Sequence, residues 1–86
     1  MGVWQVYIVL CRDGTLYTGI TTDVTRRVSE HNSSTGGARY TKSRQPVRLV
    51  YVEEAGSRAM AARREWRIKR MAAGDKWSLI STDATE

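Results

Sequence analysis

Five residues stand out for the chemistry that their types allow: Tyr7, Tyr17, Arg27, His31 and Glu65. Together they offer a base, a cation for charge developing on a phosphate, and a carboxylate ligand for a divalent ion. A phenol with a pKa of about 10 is barely ionised at neutral pH, so a tyrosine base needs a nearby cation that favours the phenolate. Arg27 or a bound metal ion would be such a cation. On a helical wheel Glu65 lies among Arg58, Ala61, Ala62, Ile68 and Lys69, and an inward carboxylate there needs a partner. A hard divalent ion held by carboxylate, water and phosphate oxygen is one partner, and Lys69 at i,i+4 is another. Ordinary readings exist for the others as well: strand packing for the tyrosines, a stem laid over the core for Arg27, and a helix C-terminus for His31. No second histidine, cysteine pair or aspartate cluster accompanies His31, so a zinc site is not supported.

The elements that must position these residues follow from periodicity. Trp4 to Cys11 is apolar on both alternating faces and reads as a strand covered on both sides, and Thr15 to Thr21 reads as its hairpin partner. A two-residue turn at Asp13-Gly14 would put Tyr7 and Tyr17 on opposite faces. A three-residue loop, Arg12 to Gly14, sets Val9 opposite Tyr17 and Tyr7 opposite Gly19, so both tyrosines share one face. Asp23 is an N-cap for a helix whose inner stripe is Val24, Arg27, Val28 and His31, ending near Asn32. Ser33 to Gly37 reads as a flexible loop, and Ala38 to Gln45 as a basic connection with a short helical turn before Pro46. Val47 to Glu54 alternates as a third strand, with Val47, Leu49 and Tyr51 on one face. A long helix is expected from Ser57 to about Met71, a break at Gly74, and a short last helix from Asp75 to Ile80. The sum is a small α/β sandwich: a three-stranded antiparallel sheet flanked by helices in the order ββαβα, plus a short C-terminal helix.

At 86 residues the chain reads as one domain, 1–86, with its core at about 4–80 and a frayed tail at 81–86. The single cysteine, Cys11, suits a reducing compartment, and no segment reads as a leader or a membrane span, so a cytoplasmic protein is expected. A net charge of +5 points to a polyanion, although it would also serve solubility or attract an anionic membrane surface. Arg39, Lys42 and Arg44 are the phosphate candidates, because their loop should lie beside the helix that carries Arg27. Arg63, Arg64, Arg67 and Arg70 read as the solvated face of the long helix.

The order Val6-Tyr7-Ile8, then Leu16-Tyr17-Thr18-Gly19-Ile20-Thr21, then Asp23 to Arg26-Arg27, His31-Asn32 and Arg64-Glu65 resembles the GIY-YIG nuclease superfamily. Ala38-Arg39-Tyr40-Thr41 and Trp66 are similar to its small stand-alone bacterial group and the Slx-type endonuclease domain. The resemblance implies a divalent-metal-dependent endonuclease acting on DNA, linked to repair or recombination, with one Mg²⁺ or Mn²⁺ on Glu65. It implies that Tyr17 acts on the attacking water, that Tyr7 supports water and phosphate, that Arg27 stabilises the transition state, and that His31 binds phosphate or transfers a proton. The first motif departs from the family in Gln5-Val6, and Thr18 stands where isoleucine or valine is usual. Nucleases of this family usually gain targeting from attached domains, which points here to a protein partner. The alternatives are a DNA- or RNA-binding module of the same fold that works in a larger assembly, and a basic structural protein.

Overall fold

A computed structural model describes residues 2–84 of the chain. Its organising unit is an antiparallel hairpin, β1 (Gln5–Leu10) and β2 (Leu16–Thr21), whose register decides which side chains can meet. Cys11 N–H donates to Thr15 O at 2.8 Å, and Gly14 N–H to Cys11 O at 3.0 Å, which leaves Arg12-Asp13-Gly14 as the loop. Gly14 has a φ of 86°, a left-handed conformation that costs glycine little. Asp13 braces the turn by accepting from Thr15 N and Oγ1. Val9 therefore faces Tyr17 and Tyr7 faces Gly19, the register of the three-residue loop.

β3 (Arg48–Glu54) pairs antiparallel with the other edge of β1, so the sheet runs β2-β1-β3. The simple alternation expected for this strand is interrupted. Ile8 faces Tyr51 while the next residue, Val9, faces Leu49, so Val50 is the extra residue of a bulge. Tyr51 consequently packs with Val6 and Ile8, whereas Val47 packs on the opposite face with Tyr7, Val9 and Cys11.

Helix α1 (Val24–His31) begins where Asp23 caps it, its carboxylate accepting from Arg26 N at 3.1 Å. A single turn, α2 (Arg39–Lys42), occupies the basic connection. Ser57 caps α3 (Arg58–Lys69) by accepting from Met60 N at 3.1 Å. The last helix, α4 (Ala73–Ala84), is longer than the expected Asp75–Ile80 segment, with Gly74 inside its first turn and Ser81 to Ala84 helical. Burial of Ile80 in the core, with Leu79 packed beside it, and Asp75 in the first turn offset the cost of that glycine, about 1 kcal/mol. Residues 85 and 86 of the expected tail lie outside the described residues.

Each sheet face carries its own apolar cluster. Val6, Ile8 and Tyr51 meet Ala61 and Ile68 of α3 and Ile80 of α4, while Tyr7, Val9 and Val47 meet Val24 and Val28 of α1. Because α3 packs chiefly on β1 and the edge strand β2, its free side can reach the rim beside Tyr17. Among the described residues no helix is long and apolar enough to cross a membrane. Ile68 is fully buried at the centre of the α3 contact, so Ile68→Ala should lower the unfolding free energy by about 2–5 kcal/mol, read from urea denaturation midpoints.

Candidate active site

The site is built on a close approach between Tyr7 and Gly19. A Cβ placed on Gly19 would fall 2.5 Å from Tyr7 Oη and 2.7 Å from Cζ, so the phenol lies against bare backbone. Any larger residue would push the ring away. Tyr7 is thereby buried, and its hydroxyl meets Nε2 of His31, the last residue of α1, at 2.7 Å.

Both ring nitrogens of that histidine have hydrogen-bond partners: Nε2 meets Tyr7 Oη, and Nδ1 faces Ala38 N at 3.3 Å. The Thr41 hydroxyl completes the cluster, 2.8 Å from Nδ1 and 3.0 Å from Ala38 O. Burial, helped by the charge of Arg27, lowers the His31 pKa and keeps the ring neutral at physiological pH. Burial also pushes the Tyr7 phenol up to about 12, against the pull of Arg27. Tyr7 is a hydrogen-bond donor at neutral pH. His31 is fully buried, and its ring touches both Tyr7 and Tyr17.

One helical turn before His31, Arg27 Nη1 pairs with Glu30 Oε1 at 2.9 Å, and Arg26 Nε takes Oε2 of the same carboxylate at 3.1 Å. Both bonds hold Glu30 below the usual carboxylate range. Beside Arg27 opens a cavity of about 260 Å³, lined also by Trp4, Ile20, Asp23 and Arg26.

Tyr17 is half-buried and enclosed by rings and cations. The His31 ring meets it edge-on at 5.3 Å, Tyr40 stacks on it at 5.7 Å, and Lys69 Nζ lies 5.6 Å from its centroid. Lys69 in turn pairs with Glu65 Oε2 at 3.2 Å, which brings that carboxylate to the β2 rim. Of the two partners considered for Glu65 the structure shows Lys69, and the pair stands near enough to the site that the carboxylate's charge raises the Tyr7 pKa. Among the described residues no three of His, Cys, Asp or Glu gather to hold a metal ion. One carboxylate, 23% exposed, suits a Mg²⁺-type ion that keeps water and takes its other ligands from a phosphate; it does not suit a protein cage for zinc.

The basic segment divides. Arg39 and Lys42 are exposed on α2. Arg44 is committed internally: Nε pairs with Asp13 at 2.9 Å, Nη1 donates to Tyr40 O at 2.8 Å, and the guanidinium covers the Tyr40 ring at 3.9 Å. It braces Tyr40, which stacks on Tyr17. Sequence reasoning assigned no role to Gly19, Glu30, Tyr40 or Thr41. The Ala38-Arg39-Tyr40-Thr41 string and the glycine opposite Tyr7 were the available signals.

Comparison with known proteins identifies the family. A model of the GIY-YIG catalytic domain matches residues 3–73, and the chain belongs to that family, a nuclease superfamily. Several of its relatives are named UPF0213 proteins. It is 57% identical over 77 residues to one from Desulfotalea psychrophila, covering 90% of this chain and 70% of that protein. It is 51% identical over 76 residues to one from Halobacterium salinarum, covering 88% and 97%. The solution structure of a UPF0213 protein from Bacillus halodurans is similar, with a TM-score of 0.59 at 43% identity over 95% of this chain and 85% of that one. A protein of E. faecalis gives a TM-score of 0.63 at 34% identity over 100% and 90%.

The buried histidine makes stability depend on pH. Its folded pKa lies below the ordinary 6.5, so on acidification the unfolded chain takes up the proton first. The associated stability is present above about pH 6.5 and lost as pH falls through the folded value. Between pH 7 and 5 the melting temperature of the wild-type chain should fall, and that of His31→Gln, lower throughout, should stay nearly flat. Differential scanning calorimetry across that window checks it.

Proposed function

We propose that the chain is a divalent-metal-dependent endonuclease that hydrolyses DNA phosphodiester bonds by in-line attack of water. The observation that carries this reading is the gathering of two tyrosines, an arginine and a carboxylate from β1, β2, α1 and α3 around one rim, with a buried histidine behind them. When bound at Glu65, Mg²⁺ or Mn²⁺ supplies a Lewis acid for the charge on the phosphate.

The chain's own residues do the rest. Tyr17, between Lys69 and the His31 edge, takes the proton of the attacking water. Tyr7, hydrogen-bonded to His31, supports the water and the phosphate. Arg27 stabilises the negative charge that develops on the phosphate, and Glu30 holds that guanidinium at the cleft. His31 is a positioning residue: it orients the Tyr7 hydroxyl. Arg39 and Lys42 add phosphate contacts, which set affinity and carry no sequence information. Such a grip suits substrates distinguished by shape, as in DNA repair or recombination, with a protein partner supplying the address in the cytoplasm.

One observation favours a second reading. Lys69 neutralises Glu65, an arrangement that would serve a nucleic-acid-binding module without cleavage. Incubating duplex, flapped, branched and single-stranded DNA with Mg²⁺ or Mn²⁺ separates the two. The wild-type chain is expected to give products that Glu65→Gln does not, and Arg27→Ala should cut turnover by about 10²–10³-fold with the fold intact. Salt-sensitive binding without products in either metal would establish the binding module.

A further inference from the structure

The outer side of α3 carries a surface that the cleft does not use. Ala61 and Ile68 turn that helix into the core, and the opposite side presents Trp66, 60% exposed, and Met60, 56% exposed. Arg63, Arg67 and Arg70 are exposed there too. A tryptophan is an expensive residue to leave in water, and among the described residues the cation over its ring is the Arg70 guanidinium, 4.7 Å from the centroid.

These arginines are not the balanced surface charge of an ordinary solvated helix. The nearby carboxylates are taken, Glu53 by Arg64 at 2.9 Å and Glu65 by Lys69 at 3.2 Å. Among the described residues Arg63, Arg67 and Arg70 pair with none. Met60, Arg63, Arg64 and Arg67 also line a cavity of about 250 Å³. At about 100° per residue, Trp66 and Arg70 come next to Glu65 and Lys69 around the helix, and Arg63 and Arg67 lie beyond them. A path of positive charge thus leads from Tyr17 and Lys69 out of the cleft and along α3.

We infer that the outer face of α3 is a second nucleic-acid contact surface, which holds the strand leaving the cleft with phosphates on Arg63, Arg67 and Arg70 and a base against Trp66. Guanidiniums without a carboxylate partner, spaced along one face, answer the regular charge of a phosphate backbone, and an exposed indole answers the π-face that every base presents. The inference rests on the proposed nucleic-acid substrate, but concerns residues outside the catalytic rim.

Binding of a fluorescein-labelled single-stranded oligonucleotide by the full chain, followed by anisotropy in EDTA across a salt series, tests it apart from cleavage. Trp66→Ala is expected to weaken binding roughly tenfold. Arg63→Gln/Arg67→Gln should reduce the slope of log affinity against log salt by about 1.4, twice the loss for one single-strand phosphate contact. Arg48→Gln, an exposed charge on β3, should stay near wild type in both readouts, and circular dichroism should show all variants folded. Wild-type affinity and slope in the α3 variants, or losses no larger than that of Arg48→Gln, would overturn the inference and leave the face to another partner such as an acidic protein. If wild type cleaves DNA while the α3 variants bind as it does, this inference falls alone; if wild type binds no oligonucleotide, it falls together with the proposed function.

Discussion

The 2.7 Å hydrogen bond between Tyr7 and His31 is the contact through which the parts of this site are joined. It ties the central strand to the end of α1, and the other face of the same imidazole ties α1 to the basic segment through Ala38 and Thr41. Two neighbours extend the junction. The Asn32 side chain exchanges hydrogen bonds with Val47 at 2.9 and 2.7 Å, and Gln45 Nε2 donates to the carbonyls of His31 and Ser33. The segment that carries Arg39, Tyr40 and Lys42 is thereby fixed to the helix that carries Arg27. A buried polar cluster of this kind specifies one arrangement, because losing any member leaves an unsatisfied group in a dry interior.

Electrostatic differences between the two tyrosines follow from that junction. Tyr7 is enclosed, is hydrogen-bonded to a neutral histidine and has its pKa raised by burial; Tyr17 sits at the rim with a lysine over its ring. Two residues of the same type on adjacent strands are given different surroundings by burial. The Arg27–Glu30 and Lys69–Glu65 pairs keep a cation and a carboxylate at the cleft mouth, each partly exposed and thus exchangeable for a phosphate or an ion at modest cost.

Much of this was legible in the sequence where a local rule acts alone. The apolar alternation and the turn residues announce the hairpin, with two registers open of which the three-residue loop is the one found; Asp23 and the Val24–His31 stripe place α1 to within a residue. Legibility ended where distant parts of the chain settle the outcome. The bulge at Val50 depends on pairing with β1, and the extension of α4 over Gly74 depends on packing of Ile80 into the core. Nothing in the spacing announced that Asp13 would capture Arg44 across 31 residues, or that Thr41 would sit behind His31. The family motif drew attention to His31, but it did not announce that the ring would be fully buried between Tyr7 and Thr41.

The central claim is that Glu65 marks the ion's place in a cleft it shares with Tyr7, Tyr17 and Arg27. Its most direct test is paramagnetic line broadening in the NMR spectrum of the labelled chain on adding substoichiometric Mn²⁺. The account predicts broadening centred on Glu65 and spreading to Tyr17, Tyr7 and Arg27, reversed by excess Mg²⁺ and absent in Glu65→Gln. Broadening centred on another acidic residue, or unchanged in Glu65→Gln, would contradict it.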